Sequence, residues 1–177
     1  MTKQAGVAVD EHGGAIVVTE HGADALRVVR ITSYPFDMGA LAAAVHALDD
    51  ETQAVVDGDG LGAALWQVVV PEDRLVREQI ASRSSLKDEV PRLWLYQGRG
   101  TDRQALVNNL VVVVTQDVLR FAADLPELAT MQAAMAKYRR QVQADGGLGS
   151  TLVTALALSL ADRLEPIRHR AFFVNMR

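Results

Sequence analysis

The 177-residue chain contains no cysteine. That excludes disulfides, thiolate nucleophiles and cysteine-ligated zinc or iron–sulfur centres. The first residues, Met1-Thr2-Lys3-Gln4, lack a charged segment followed by an apolar one, so no signal peptide is expected. The longest apolar run lies within residues 152–161 and is too short to span a bilayer. These absences suit a cytoplasmic protein with no membrane partner. No internal repeat or low-complexity tract interrupts the chain, and its length suits one domain, 1–177. An excess of positive charge is also missing: the net charge is −4, not the balance expected of a stable nucleic-acid binder. The charge is uneven, however. Residues 1–60 hold 3 Lys+Arg against 10 Asp+Glu, and residues 137–177 hold 7 against 3. An acidic front with a basic tail can pair an acidic site with a phosphate-contacting face, or it can be uneven surface charge and nothing more.

What is present is an ordered alternation of apolar segments. Gly6-Val7-Ala8-Val9, Ala15-Ile16-Val17-Val18-Thr19 and residues 25–31 are rich in β-branched side chains and are separated by glycine-containing turns. They predict three antiparallel strands in a meander, with Asp10 ending the first. Pro35 breaks the sheet, and Asp37 is a suitable N-cap for a helix over residues 38–48 with Leu41, Val45 and Leu48 on one face. Asp49-Asp50-Glu51 at its end opposes the helix dipole and predicts exposure. Residues 53–56 form a fourth strand, residues 61–69 a helix, residues 71–90 a polar loop with helical pieces, and residues 92–96 a fifth strand. Gly98-Arg99-Gly100 is a flexible turn, and Asp102 is a candidate cap for the helix that follows.

Residues 106–114 fit helical spacing, yet four consecutive valines favour a strand, and both readings stay open. Residues 118–121 look extended. Residues 126–142 form an amphipathic helix with Leu128, Met131, Met135, Tyr138 and Val142 on its apolar stripe. After the glycine-rich break that follows Asp145, Ser150 caps a last, mostly buried helix over residues 151–164 that Pro166 closes. Three strands, then helix, strand, helix, strand and more helices predict a mixed sheet with helices on its faces.

The stretch Val55-Val56-Asp57-Gly58-Asp59-Gly60-Leu61-Gly62 is the most informative. A strand that ends in carboxylates and turns on glycine into a helix delivers acidic side chains to the rim of a sheet, where α/β folds bind ligands. Ordinary turn and helix-cap chemistry also favours Asp and Gly there, as it does for Asp10. The four histidines, His12, His21, His46 and His169, show no ligand spacing, and Trp66 and Trp94 read as core.

The order of elements resembles the ribonuclease H-like fold, and within it the nuclease domain of phage terminase large subunits. Val7-Ala8-Val9-Asp10 is similar to a first strand ending in a metal-binding Asp. Val55–Gly62 resembles that family's strand followed by Asp-x-x-Gly-x-Gly, with Asp57 at the acidic position. Gln104-Ala105-Leu106-Val107-Asn108-Asn109-Leu110 and Val118-Leu119-Arg120-Phe121 resemble the helix and short strand before the final helices. Gly149-Ser150-Thr151-Leu152-Val153-Thr154-Ala155-Leu156 resembles the final helix, which in the family opens with His-Asp-Asp. The resemblance implies a five-stranded mixed sheet, the antiparallel three-strand meander plus two parallel strands, with helices on both faces.

It further implies a DNA endonuclease, a hydrolase of phage DNA packaging, using Mg²⁺ or Mn²⁺. Asp10 and Asp57 would bind metal with Asp59 assisting, and Asp145 is a further candidate. Arg139, Arg140, Arg168 and Arg170 are candidate phosphate contacts. The implied partners are DNA and a separate packaging ATPase or portal protein, in host cytoplasm if the chain is phage-encoded. The sequence departs from the family in two places. Ser150 and Thr151 stand where the last acidic pair is expected, and a hydroxyl is a weak ligand for a hard cation. No Gly-x4-Gly-Lys-[Ser/Thr] occurs, so the ATPase half is absent from this sequence. The alternative is therefore a degenerate domain of the same fold that binds DNA or a packaging partner without cutting.

Overall fold

A computed structural model describes residues 2–70, 93–96, 101–142 and 149–161. The expected loop over residues 71–90, the turn Gly98-Arg99-Gly100, Asp145, Arg168 and Arg170 lie outside the described residues. Strands β1 (Thr2–Asp10), β2 (Gly13–His21) and β3 (Leu26–Tyr34) form the antiparallel meander. Strand β4 (Thr52–Asp57) pairs parallel with β1, Val7 opposite Val56, and β5 (Leu93–Tyr96) pairs parallel with β4.

The sheet has six strands where five were expected, in the order β5-β4-β1-β2-β3-β6. The addition is β6 (Leu119–Phe121), parallel to β3 with Leu119 opposite Leu26 and Phe121 opposite Val28. Three residues are too few to show the alternation that marks a strand. The pairing itself, a contact between segments distant in sequence, makes β6 a strand.

Alternating side chains in the central strands feed two cores, so both faces must be covered by helices. Ala5, Val7, Ala54 and Val56 pack with Leu41 and Val45 of α1 (Met38–His46) and with Leu65, Trp66 and Val69 of α2 (Leu61–Val69). Asp37 caps α1, accepting from the Ala40 amide at 3.0 Å. The helix stops two residues earlier than expected, though Leu48 remains buried, and Asp49-Asp50-Glu51 is exposed.

Ala8, Ala15, Val17 and Val55 face the other way, toward α3 (Thr101–Thr115), α4 (Leu128–Val142) and α5 (Thr151–Ser159). The valine run is helical. Leu106, Val107, Leu110 and Val113 are buried at helical spacing while Val111 and Val112 are exposed, so tertiary burial overrides the strand preference of valine. Asp102 lies inside α3, not before it. Helix α4 begins two residues later than expected. Its start is tied to β3 by Glu127, whose carboxylate accepts from the Ser33 amide at 2.6 Å and from the Ser33 hydroxyl. Arg139 and Arg140 lie on this helix. Among the described residues, no helix is long and apolar enough to cross a membrane.

Helix α5 ends at Ser159, and residues 162–164 of its expected course lie outside the described residues. Every residue from Val153 to Ser159 is buried. The helix lies directly on β1 and β2: Thr19 and Ser159 share a buried hydroxyl–hydroxyl hydrogen bond of 2.7 Å. Gly6 permits the approach, because a Cβ there would overlap the Ala155 carbonyl oxygen and the Ser159 amide nitrogen. Backbone atoms cannot step aside as a flexible side chain can. Gly6→Ala is expected to lower the unfolding free energy by about 1–3 kcal/mol by overpacking. The check is urea denaturation, with a lower midpoint at unchanged slope.

Candidate functional site

The parallel pairing of β1 and β4 brings Asp10 and Asp57 to the same end of the sheet. Side chains alternate, so Asp10 shares a face with Ala8, and Asp57 shares it with Val55. Both carboxylates therefore sit on the face covered by α3, α4 and α5. Extending the observed register by ~3.3 Å per residue and ~4.8 Å between strands puts their Cα atoms about 8 Å apart.

Asp10 closes the β1–β2 turn. Its Oδ1 accepts from the amides of His12 at 2.8 Å and Gly13 at 3.1 Å, and its Oδ2 accepts from the Thr151 hydroxyl at 2.5 Å. Partial burial by itself would push this carboxyl up. The Thr151 hydroxyl and the two amides outweigh that and hold it below the ordinary carboxylate range. The side chain thus serves the turn and faces the first residue of α5 at once. Ser150 is occupied differently: its hydroxyl caps α5 by accepting from the Val153 amide at 3.3 Å.

Asp57 ends β4 with a side chain 9% exposed. Its Oδ1 accepts from the Asp59 amide at 3.2 Å. Arg103, in the first turns of α3, covers both oxygens. Its Nη1 lies 3.1 Å from Oδ1 and 3.3 Å from Oδ2, and its Nη2 lies 3.4 Å from Oδ2. The same Nη1 reaches Asp59 Oδ2 at 3.4 Å. Burial pushes the Asp57 carboxyl up, and the Arg103 charge pulls it back without restoring the ordinary value. Asp59 is far more open, with a side chain 44% exposed. The glycines of this stretch have geometric reasons: Gly60 holds φ at +56°, and a Cβ on Gly62 would overlap the Asp57 carbonyl.

A pair of divalent cations about 3.5–4 Å apart needs several free carboxylate oxygens converging from different elements. The residues described do not fit that demand. Asp10 is satisfied by a hydroxyl and two amides, Asp57 by a guanidinium, and α5 contributes Thr151 where a carboxylate would be needed. Among the described residues, no group of three His, Asp or Glu side chains is placed to hold a metal ion.

Arg103 was not singled out by sequence reasoning, although a signal existed. A cation in the first turn of a helix opposes the helix dipole and needs a nearby anion to offset it. Which anion it meets depends on α3 lying over the end of β4.

The chain has the ribonuclease H-like fold of viral terminase nuclease domains. It is similar to the human cytomegalovirus terminase nuclease domain soaked with Mn and bound to an inhibitor. That likeness has a TM-score of 0.58 at 14% identity, over 95% of this chain and 86% of that one. The Mn-soaked form without inhibitor gives a TM-score of 0.57 at 13% identity over 96% and 86%, and a third structure of that domain gives 0.52 at 12% over 93% and 86%. At such identities the likeness establishes the fold. No family model matches the sequence, and no curated protein matches it.

The Asp10–Thr151 contact has a pH signature. A carboxylate held below its unfolded value, roughly 4, contributes stability that is complete above that value and lost as pH falls through the lower folded one. Thr151→Val removes the hydroxyl and keeps the shape. It is expected to lower the unfolding free energy by about 1–2 kcal/mol at neutral pH. Urea denaturation near pH 7 and near pH 3 checks this, with the parent–variant gap closing at the acid end. An equal gap at both would mean that Thr151 acts through packing alone.

Proposed function

We propose that this chain is a non-cleaving relative of terminase nuclease domains, a ribonuclease H-like module that binds DNA or a packaging partner without hydrolysing a phosphodiester. The observation that carries this reading is the Arg103 guanidinium across both oxygens of Asp57. Thr151, donating to Asp10 in place of an acidic residue, supports it. Arg139 and Arg140, with Arg168 and Arg170, remain the candidate phosphate contacts. A separate packaging ATPase or portal protein is the candidate protein partner.

A second reading, a Mg²⁺- or Mn²⁺-dependent DNA endonuclease, is favoured by one observation. Asp10 and Asp57 end adjacent parallel strands and face the same side of the sheet, with Asp59 beside them. Under that reading a cation would have to displace Arg103.

Supercoiled plasmid incubated with the parent protein and millimolar Mn²⁺ separates the two. The expected result is no conversion to the nicked form, together with DNA retardation in gels that weakens steeply as salt rises. Conversion that requires Mn²⁺ and disappears in Asp57→Asn would establish the endonuclease. Under that second reading Thr151→Asp, which adds a carboxylate beside Asp10, should also raise nicking above the parent. Neither cutting nor retardation would direct attention to a protein partner.

A further inference from the structure

We infer that Arg103 is a built-in cation standing where this fold would otherwise hold a metal ion, so that the rim of β4 is closed to divalent cations and α3 is anchored to it. The inference rests on the non-cleaving reading and assigns the residue responsible for it. Asp57 is nearly enclosed, and a buried carboxylate without a partner is strongly unfavourable. Either a cation or a guanidinium can supply the compensation, but both cannot use the same oxygens. A divalent ion such as Mg²⁺ needs a carboxylate oxygen at about 2.0–2.1 Å and an open approach for its other ligands. The guanidinium fork is already directed at both Asp57 oxygens and extends to Asp59.

The arrangement has a further property. The guanidinium is part of the chain, so its presence at the rim does not depend on the supply of metal. Its position near the N-terminus of α3 is unfavourable toward the helix dipole, and the two aspartates offset that cost. One ion pair thus compensates the carboxylate at the end of β4 and joins that strand to the first turns of α3.

Thermal melting of the full chain, without DNA, in EDTA and in millimolar Mn²⁺ tests the inference. The parent should melt at the same temperature in both. Arg103→Gln should melt roughly 6–20 °C lower in EDTA, since it leaves a buried carboxylate unpaired. Mn²⁺ should then recover much of that loss by binding the folded form. The double variant Arg103→Gln with Asp57→Asn removes both charges; it should fold, regain most of the parent's stability and ignore Mn²⁺.

A parent whose Tm rises in Mn²⁺, with the rise lost in Asp57→Asn, would overturn the inference, because the ion would be displacing the guanidinium. So would an Arg103→Gln variant that melts like the parent in EDTA, or one whose loss Mn²⁺ leaves untouched. Should Arg103→Gln fail to fold, a folded double variant insensitive to Mn²⁺ supports the inference and an unfolded one overturns it. A parent that neither cuts nor binds DNA would remove the DNA-binding reading and leave the Arg103 result standing.

Discussion

Burial of β1 and β4 between two helical layers is the constraint on which everything at the site depends. A strand covered on both faces has no solvent alongside to satisfy a charge at its end. Asp57 follows Val55 and Val56 directly, so it inherits their enclosure. Asp10 sits at the margin of the same enclosure, where turn amides remain within reach. The two aspartates occupy comparable strand ends, yet their carboxyls shift in opposite directions. Hydrogen bonds prevail over burial at Asp10, and burial prevails over Arg103 at Asp57.

That contrast separates what the strands supply from what the covering helices supply. The strands and glycine turn only deliver oxygens to a rim. Whether those oxygens stay free depends on what the covering helices present. Here α3 presents a guanidinium and α5 presents a hydroxyl. Gly6 lets α5 descend onto β1, which brings Thr151 at its start within reach of Asp10. The scaffold and the chemistry at its rim are therefore separable, as is general for widely used folds.

The meander, β4, β5, α2 and the caps of α1 and α5 were legible because each is specified by neighbours in sequence. β-branched runs between glycine turns, an Asp or Ser ahead of an apolar helix, and the Asp-x-x-Gly-x-Gly turn are local signals. The valine run of α3 was ambiguous because valine favours strands intrinsically, and its helical form depends on which of its faces is buried. Residues 118–121 read as extended, but their place as the sixth strand of the sheet was not legible, because so short a segment carries little periodicity and its partner, β3, is distant along the chain.

The site divides in the same way. By itself the sequence determined that Asp10 and Asp57 end strands, that Asp59 follows on a glycine turn, and that a hydroxyl opens the last helix. Local backbone preference is enough for all of these. Only the tertiary structure decided that Thr151, and not Ser150, faces Asp10, and that Arg103 covers Asp57. Helix phase and the placement of α3 over the sheet rim set those contacts across 141 and 46 residues of sequence. An ion pair depends on distance and burial, and neither is specified until the layers are packed.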